Sequence, residues 1–168
     1  MNKSLYVAFL FFSLLLLQVF VFNNILFLGY INPYIYVAFV ILYPLKEERF
    51  SFLFVSFLLG LLLDFFSDSG GIHAFSLLFV AYIRLFLIRI IFKKTSLDYL
   101  LFNLNNEPFG KVFNFVIITI VIHHFLLFLL ASFSFNHITS TLLQTLYSSV
   151  FTTILFFLGT SLLRNKNK

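Results

Sequence analysis

The chain has 168 residues, 61% of them hydrophobic and only 10% charged, with a mean hydropathy of +1.05. Water-soluble domains run near half apolar and a quarter charged, so an ordinary soluble fold is excluded; at about 20 residues per crossing helix, five or six spans also leave no room for a separate catalytic domain. The absence of cysteine excludes disulfides, thiolate metal sites and a cysteine nucleophile, and the net charge of +5 must be read from where the basic residues lie.

The first apolar run, residues 5–22, follows Lys3 and ends in Phe20-Val21-Phe22-Asn23-Asn24, with no small residues suited to signal-peptide cleavage. It reads as an uncleaved span. The second span is placed at 33–45, with Pro33 in its first turn, where a missing backbone donor is harmless. From Pro33 to Pro44 a helix covers only about 18 Å, against a hydrocarbon core about 30 Å thick. Either residues before Pro33 join a kinked span, or Ile25 to Ile31 lies partly in the interface. The third span, 50–66, ends in the turn Ser67-Asp68-Ser69-Gly70-Gly71, and the fourth, 72–92, stops at Lys93-Lys94. A polar connection follows, in which Leu97 to Leu104 suits a short surface helix. The fifth and sixth spans run over 112–133 and 138–163, the sixth richer in serine and threonine, before a basic tail. The 28 phenylalanines suit lipid-facing positions as leucine does and need no aromatic binding device.

With the amino terminus in the cytoplasm, Lys3, Lys46, Arg49, Lys93, Lys94, Lys111, Arg164, Lys166 and Lys168 all fall on the cytoplasmic side. The opposite loops, near 23–32, 67–71 and 134–137, hold no lysine or arginine. This is the positive-inside bias, and it predicts six spans with both termini cytoplasmic. It also accounts for the net charge through anionic lipid head groups rather than nucleic acid.

Ionisable groups at membrane depth are functional candidates, and Asp64, His73, Arg84 and the pair His123-His124 qualify. Asp64, near the outer end of the third span, and His73, at the start of the fourth, lie at similar depth, which suits a carboxylate–imidazole pair. Arg84 lies eleven residues below His73, about 16 Å along the axis, so His73, Leu77, Val80 and Arg84 form one stripe facing the bundle interior. Two readings stand: Asp64 and His73 tie a tight turn while Arg84 bonds carbonyls or snorkels, or the three serve transport or binding. His123 and His124 point roughly 100° apart and are expected not to line one site. A zinc site would need further ligands, and only His73, His137 and Asp64 remain, from distant stretches. HExxH, GxSxG and a glycine-rich phosphate loop are all absent, and no nucleophile, base and electrophile assemble. The expectation is a non-enzymatic protein without metal or cofactor.

The ordered stretches INPYIY at 31–36, FVILYPL ending at Leu45, GLLLD at 60–64, SGGIHA at 69–74 and AYIR at 81–84 together resemble the MreD family, in the form found in Bacteroidetes-type bacteria. MreD is the small integral membrane component of the rod-shape elongation machinery. The resemblance covers about residues 30–92 and carries over Pro33, Gly60, Asp64, Gly71, His73, Ala74, Tyr82 and Arg84. It departs at Asp68-Ser69, where an asparagine–threonine type pair is expected. It implies a membrane scaffold working with MreC, the actin-like MreB, the glycosyltransferase RodA and an elongation-class penicillin-binding transpeptidase. It also implies a six-helix bundle similar to the substrate-binding subunits of energy-coupling-factor vitamin transporters. The rival function is therefore a small-molecule-binding transporter subunit. Those subunits couple through an AxxxA face on the first helix, where this chain offers Ala8 and Ser13, five apart. A small lipid-metabolising membrane enzyme would need more acidic or histidine groups than Asp64, Asp68 and His73.

Overall fold

The computed structural model describes residues 2–25, 32–45, 49–93, 102–133 and 138–165. Every regular element among them is helical: α1 (Lys3–Phe20), α2 (Ala38–Leu42), α3 (Arg49–Ser67), α4 (Ile72–Phe92), α5 (Phe109–Ser132) and α6 (Ile138–Asn165). Short 3-10 turns occupy Phe22–Asn24, Ile35–Val37 and Leu104–Asn106. Five of the helices are long and apolar enough to cross a membrane, so this is a multi-pass helical membrane protein. The proposed surface helix at 97–104 falls mostly outside the described residues, as do His137, Lys46, Lys94, Lys166 and Lys168.

Helix directions follow from contacts at the helix ends. Asn23, just beyond α1, donates through Nδ2 to Ser67 Oγ at the end of α3, 3.0 Å away. The two helices therefore run the same way, and the chain between them must return. Residues 33–45 make that return. Gln18 Nε2 donates to the Pro33 carbonyl at 3.2 Å near the end of α1, and the Tyr43 ring lies 4.6 Å from the Phe52 ring near the start of α3. After the turn α4 reverses; Phe92 at its end meets Phe115 early in α5 at 5.7 Å. Phe113 in turn meets Phe157 late in α6 at 5.7 Å. Six traverses alternate, and the start of α1 and the end of α6 share one end of the bundle.

The return traverse is the exception in length. Only the 3-10 turn and the five residues of α2 are helical. Pro33 does not sit in a first helical turn, as its position suggested: Tyr34 is the residue flanking the 3-10 turn. Pro33 is instead buried, with its carbonyl taken by Gln18. Ile35 to Ile41 are all buried, and Tyr36, Phe39, Val40 and Ile41 are 0% exposed. A segment apolar on every side belongs inside a bundle. Short ends at membrane depth are tolerated there because neighbouring helices, not lipid, meet the free backbone groups.

Without a hydrophobic drive between helices in lipid, close approach needs small residues. Gly60 supplies it where α3 crosses α4: a Cβ there would lie 2.5 Å from Ala74 Cα and 2.8 Å from both Ala74 N and the His73 carbonyl oxygen. The phenylalanines largely cover the outside, with Phe9, Phe50, Phe65, Phe86 and Phe109 all exposed. In α6 the polar face turns inward, and Thr145 and Thr153 return their hydroxyls to the carbonyls of Thr141 and Ser149, each at 2.7 Å.

Candidate functional site

Asp64 joins two helix ends. Its Oδ1 accepts from the Ser69 hydroxyl at 2.6 Å and from the His73 backbone N–H at 3.0 Å, and Oδ2 accepts from the Ala74 N–H at 2.8 Å. His73 and Ala74 are the second and third residues of α4, whose amide groups have no partner within the helix. The carboxylate of one helix thus caps the amino terminus of the next, where the helix dipole favours negative charge. The turn itself supplies the geometry. Asp68 is left-handed (φ 49°), and Ser69 N–H donates back to the Asp64 carbonyl at 3.2 Å, the 6→1 bond of a Schellman ending. Gly70 and Gly71 follow at φ 68° and 97°, conformations only glycine adopts cheaply. The Asp68-Ser69 pair keeps two uses: a residue tolerant of the left-handed region, and a hydroxyl that holds Asp64.

The expected Asp64–His73 imidazole pair is not formed. Asp64 takes the backbone N–H of His73, while the ring pairs through Nδ1 with the Tyr36 hydroxyl at 2.7 Å. The physical reason is that the α4 amides are nearer and lack any other partner, whereas the imidazole reaches across to the return traverse. Tyr36 and Tyr34 then make the site larger than the sequence indicated. Tyr36 lies 5.0 Å from the His123 ring, and Tyr34 lies 5.5 Å from both His73 and His124. His123 and His124 are both 0% exposed and touch at 5.3 Å between ring centroids. The expectation that they cannot share one site is therefore corrected: two tyrosines spaced two apart both contact His73, and each also reaches one member of the pair. His124 Nδ1 faces the Ile120 carbonyl at 2.9 Å and Nε2 faces Thr152 Oγ1 at 3.1 Å. A carbonyl only accepts, so Nδ1 carries the proton and Nε2 accepts from the hydroxyl. Thr152 also accepts the Tyr34 backbone N–H at 3.2 Å. Both ring nitrogens of His123 are buried without a hydrogen-bond partner. Among the described residues no three histidine or carboxylate groups converge on a metal ion.

Arg84 works at the other end of the same helix stripe. His73, Leu77, Val80 and Arg84 are all buried, and Arg84 is only 2% exposed. Its Nη2 donates to the carbonyls of Ile41, at 3.3 Å, and Tyr43. Those carbonyls end α2, which Pro44 prevents from continuing. The guanidinium carbon also lies 5.0 Å from the Phe52 ring, a cation–π distance. Arg84 does not snorkel. Tyr82, by contrast, is exposed and carries the Arg49 guanidinium over its ring at 5.1 Å.

Three features went unremarked in the sequence. Gln18 is the one amide side chain in an apolar α1, near its end; it is 1% exposed and binds Asn23 Oδ1 and the Pro33 carbonyl. A single amide at membrane depth was a readable signal. Thr152 was hidden among the many hydroxyls of α6. Ser4 and Ala8, four apart, line an open groove of about 380 Å³ between α1 and α3, with Phe11, Ser51 and Val55. The small-residue spacing lies at Ser4 and Ala8, one turn before the Ala8–Ser13 pair. No family model, no curated protein and no solved structure matches the chain.

Proposed function

We propose that this protein is an MreD-type scaffold: a non-enzymatic component of the bacterial cytoplasmic membrane that supports cell shape and lateral peptidoglycan synthesis. The supporting observation is where the resembling motifs meet. Tyr36, Gly60, Asp64, His73 and Arg84 come from four separate stretches, and each serves a contact between traverses. Such residues build a rigid body whose outer surface is left for partners. MreC is the first partner on this reading, with MreB, RodA and the elongation transpeptidase in the same assembly. Both termini face the cytoplasm, since Arg49, Arg89, Lys93 and Lys111 stand at that end of the described bundle. Depletion in the native host should round the cells or make their width irregular, and affinity capture should recover MreC. Rod shape after depletion, together with capture lacking MreC, would remove the reading.

The groove between α1 and α3 favours a second reading, a small-molecule-binding transporter subunit. Its volume of about 380 Å³ falls within the range of small-ligand sites. A thermal-shift screen with vitamin-sized compounds separates the two: submicromolar binding supports the transporter subunit, and a flat screen favours the scaffold.

A further inference from the structure

We propose that the notch where α3 begins, beside the middle of α4, binds the phosphate of an anionic lipid head group. Three independent features converge there. Arg84 lines the notch; two of its contacts go to the α2 carbonyls, while its Nε is buried without a hydrogen-bond partner. A guanidinium binds phosphate best through paired N–H groups, and here one edge is spent on carbonyls while Nε remains unused. Arg49 lines the same notch from the first turn of α3. The amino terminus of that 19-residue helix adds the positive end of a dipole.

Size and charge agree with this occupant. The notch encloses about 40 Å³ between Pro44, Leu45, Phe52 and Ala81, room for about three water-sized groups and hence for phosphate oxygens rather than a large ligand. No ion pair to Arg84 forms among the described residues. A cation at this depth calls for a counter-charge. Asp64 and Asp68 lie at the opposite end of α3, with the Asp64 carboxylate already engaged. Arg89 and Lys93, near the end of α4, are exposed toward the same end and draw anionic lipid to it. The chemistry recognised is a phosphate ester. A lipid delivers it with acyl chains lying along the exposed faces of Phe50 and Phe86.

The test uses the full chain in neutral detergent, with the thermal midpoint read by circular dichroism. Phosphatidylglycerol, phosphatidylcholine and inorganic phosphate are titrated separately. Phosphatidylglycerol is expected to raise the midpoint at concentrations where phosphatidylcholine does not. Arg49→Gln, at an exposed position, should weaken that response about fivefold. Arg84→Lys keeps a charge but removes Nε, and should lose most of the preference. A full response to inorganic phosphate alone keeps the anion site and reassigns its source to a soluble phosphate. Equal responses to the two lipids, or an unchanged response in Arg49→Gln, overturns the proposal. So does a phosphatidylglycerol response that appears only in Glu47→Gln/Glu48→Gln, since the chain's own carboxylates would then be the occupant.

Discussion

The two ends of the α3–α4 pair treat a buried charge in opposite ways. At the turn, Asp64 has both oxygens engaged by three donors, two of them amides that no other group serves. At the far end, Arg84 meets two carbonyls and an aromatic face and keeps one buried N–H unpaired. The anion is a closed structural device, made from the ends of the helices it joins. The cation closes one side of the return traverse and leaves the other side chemically unfinished. A charge inside a membrane protein can thus be settled by helix-end amides and one hydroxyl, and where it is only half settled, a site for something else remains.

That contrast sets the order of expected effects. Asp64→Ala strands three donors at once, and charge-assisted hydrogen bonds are worth about 1.5–3 kcal/mol each, so the loss of folded protein should be the largest of the series. Asp64→Asn keeps the shape and one acceptor and should be milder; the folded fraction extracted from membranes, by size-exclusion profile, ranks them. If Asp64→Ala accumulates like the parent, the closed end is not what holds the pair together. Gly60→Ala places a methyl within 2.5 Å of the Ala74 backbone, and overpacking of this kind costs about 1–3 kcal/mol, visible as a lowered thermal midpoint. Tyr36→Phe removes only the hydroxyl that meets His73 and should cost about 1 kcal/mol. Its effect should vanish in a His73→Phe background, the double-mutant cycle that isolates the pair. Asp68→Gly should raise the midpoint slightly, because Asp68 sits at φ 49°, where glycine carries no Cβ penalty. A fall would mean that the Asp68 side chain has a role the turn does not explain.

Much of the architecture is written in the chain's own pattern. The long apolar runs at 50–66 and 72–92 become α3 and α4 nearly residue for residue, because in lipid a helix must satisfy its backbone internally. The Asp68–Gly71 turn is equally local, two of its three left-handed positions signalled by glycine. The return traverse is not local. Pro33 and Pro44 announce its limits, yet its burial depends on α1, α3, α4, α5 and α6 around it. The ring of His73 shows the same limit. Depth alone paired it with Asp64, but depth cannot reveal that the α4 amides compete for that carboxylate, or that Tyr36, 37 positions away, offers the ring another partner. Helical angle misjudged His123 and His124 for the same reason: angular separation on one helix says nothing about two side chains arriving from another.

The central structural claim is that residues 33–45, although too short for an ordinary span, carry the chain back across the bundle so that α1 and α3 run parallel. The chain contains no cysteine, so an introduced pair reports without background. Asn23→Cys and Ser67→Cys place thiols where the native side chains meet at 3.0 Å, with a protease site inserted after Lys46 to separate them along the chain. After oxidation in membranes and cleavage, the two fragments should stay joined without reductant and separate with it. Fragments that separate without reductant, in a protein that folds and inserts normally, would place the ends of α1 and α3 apart and contradict the six-traverse bundle.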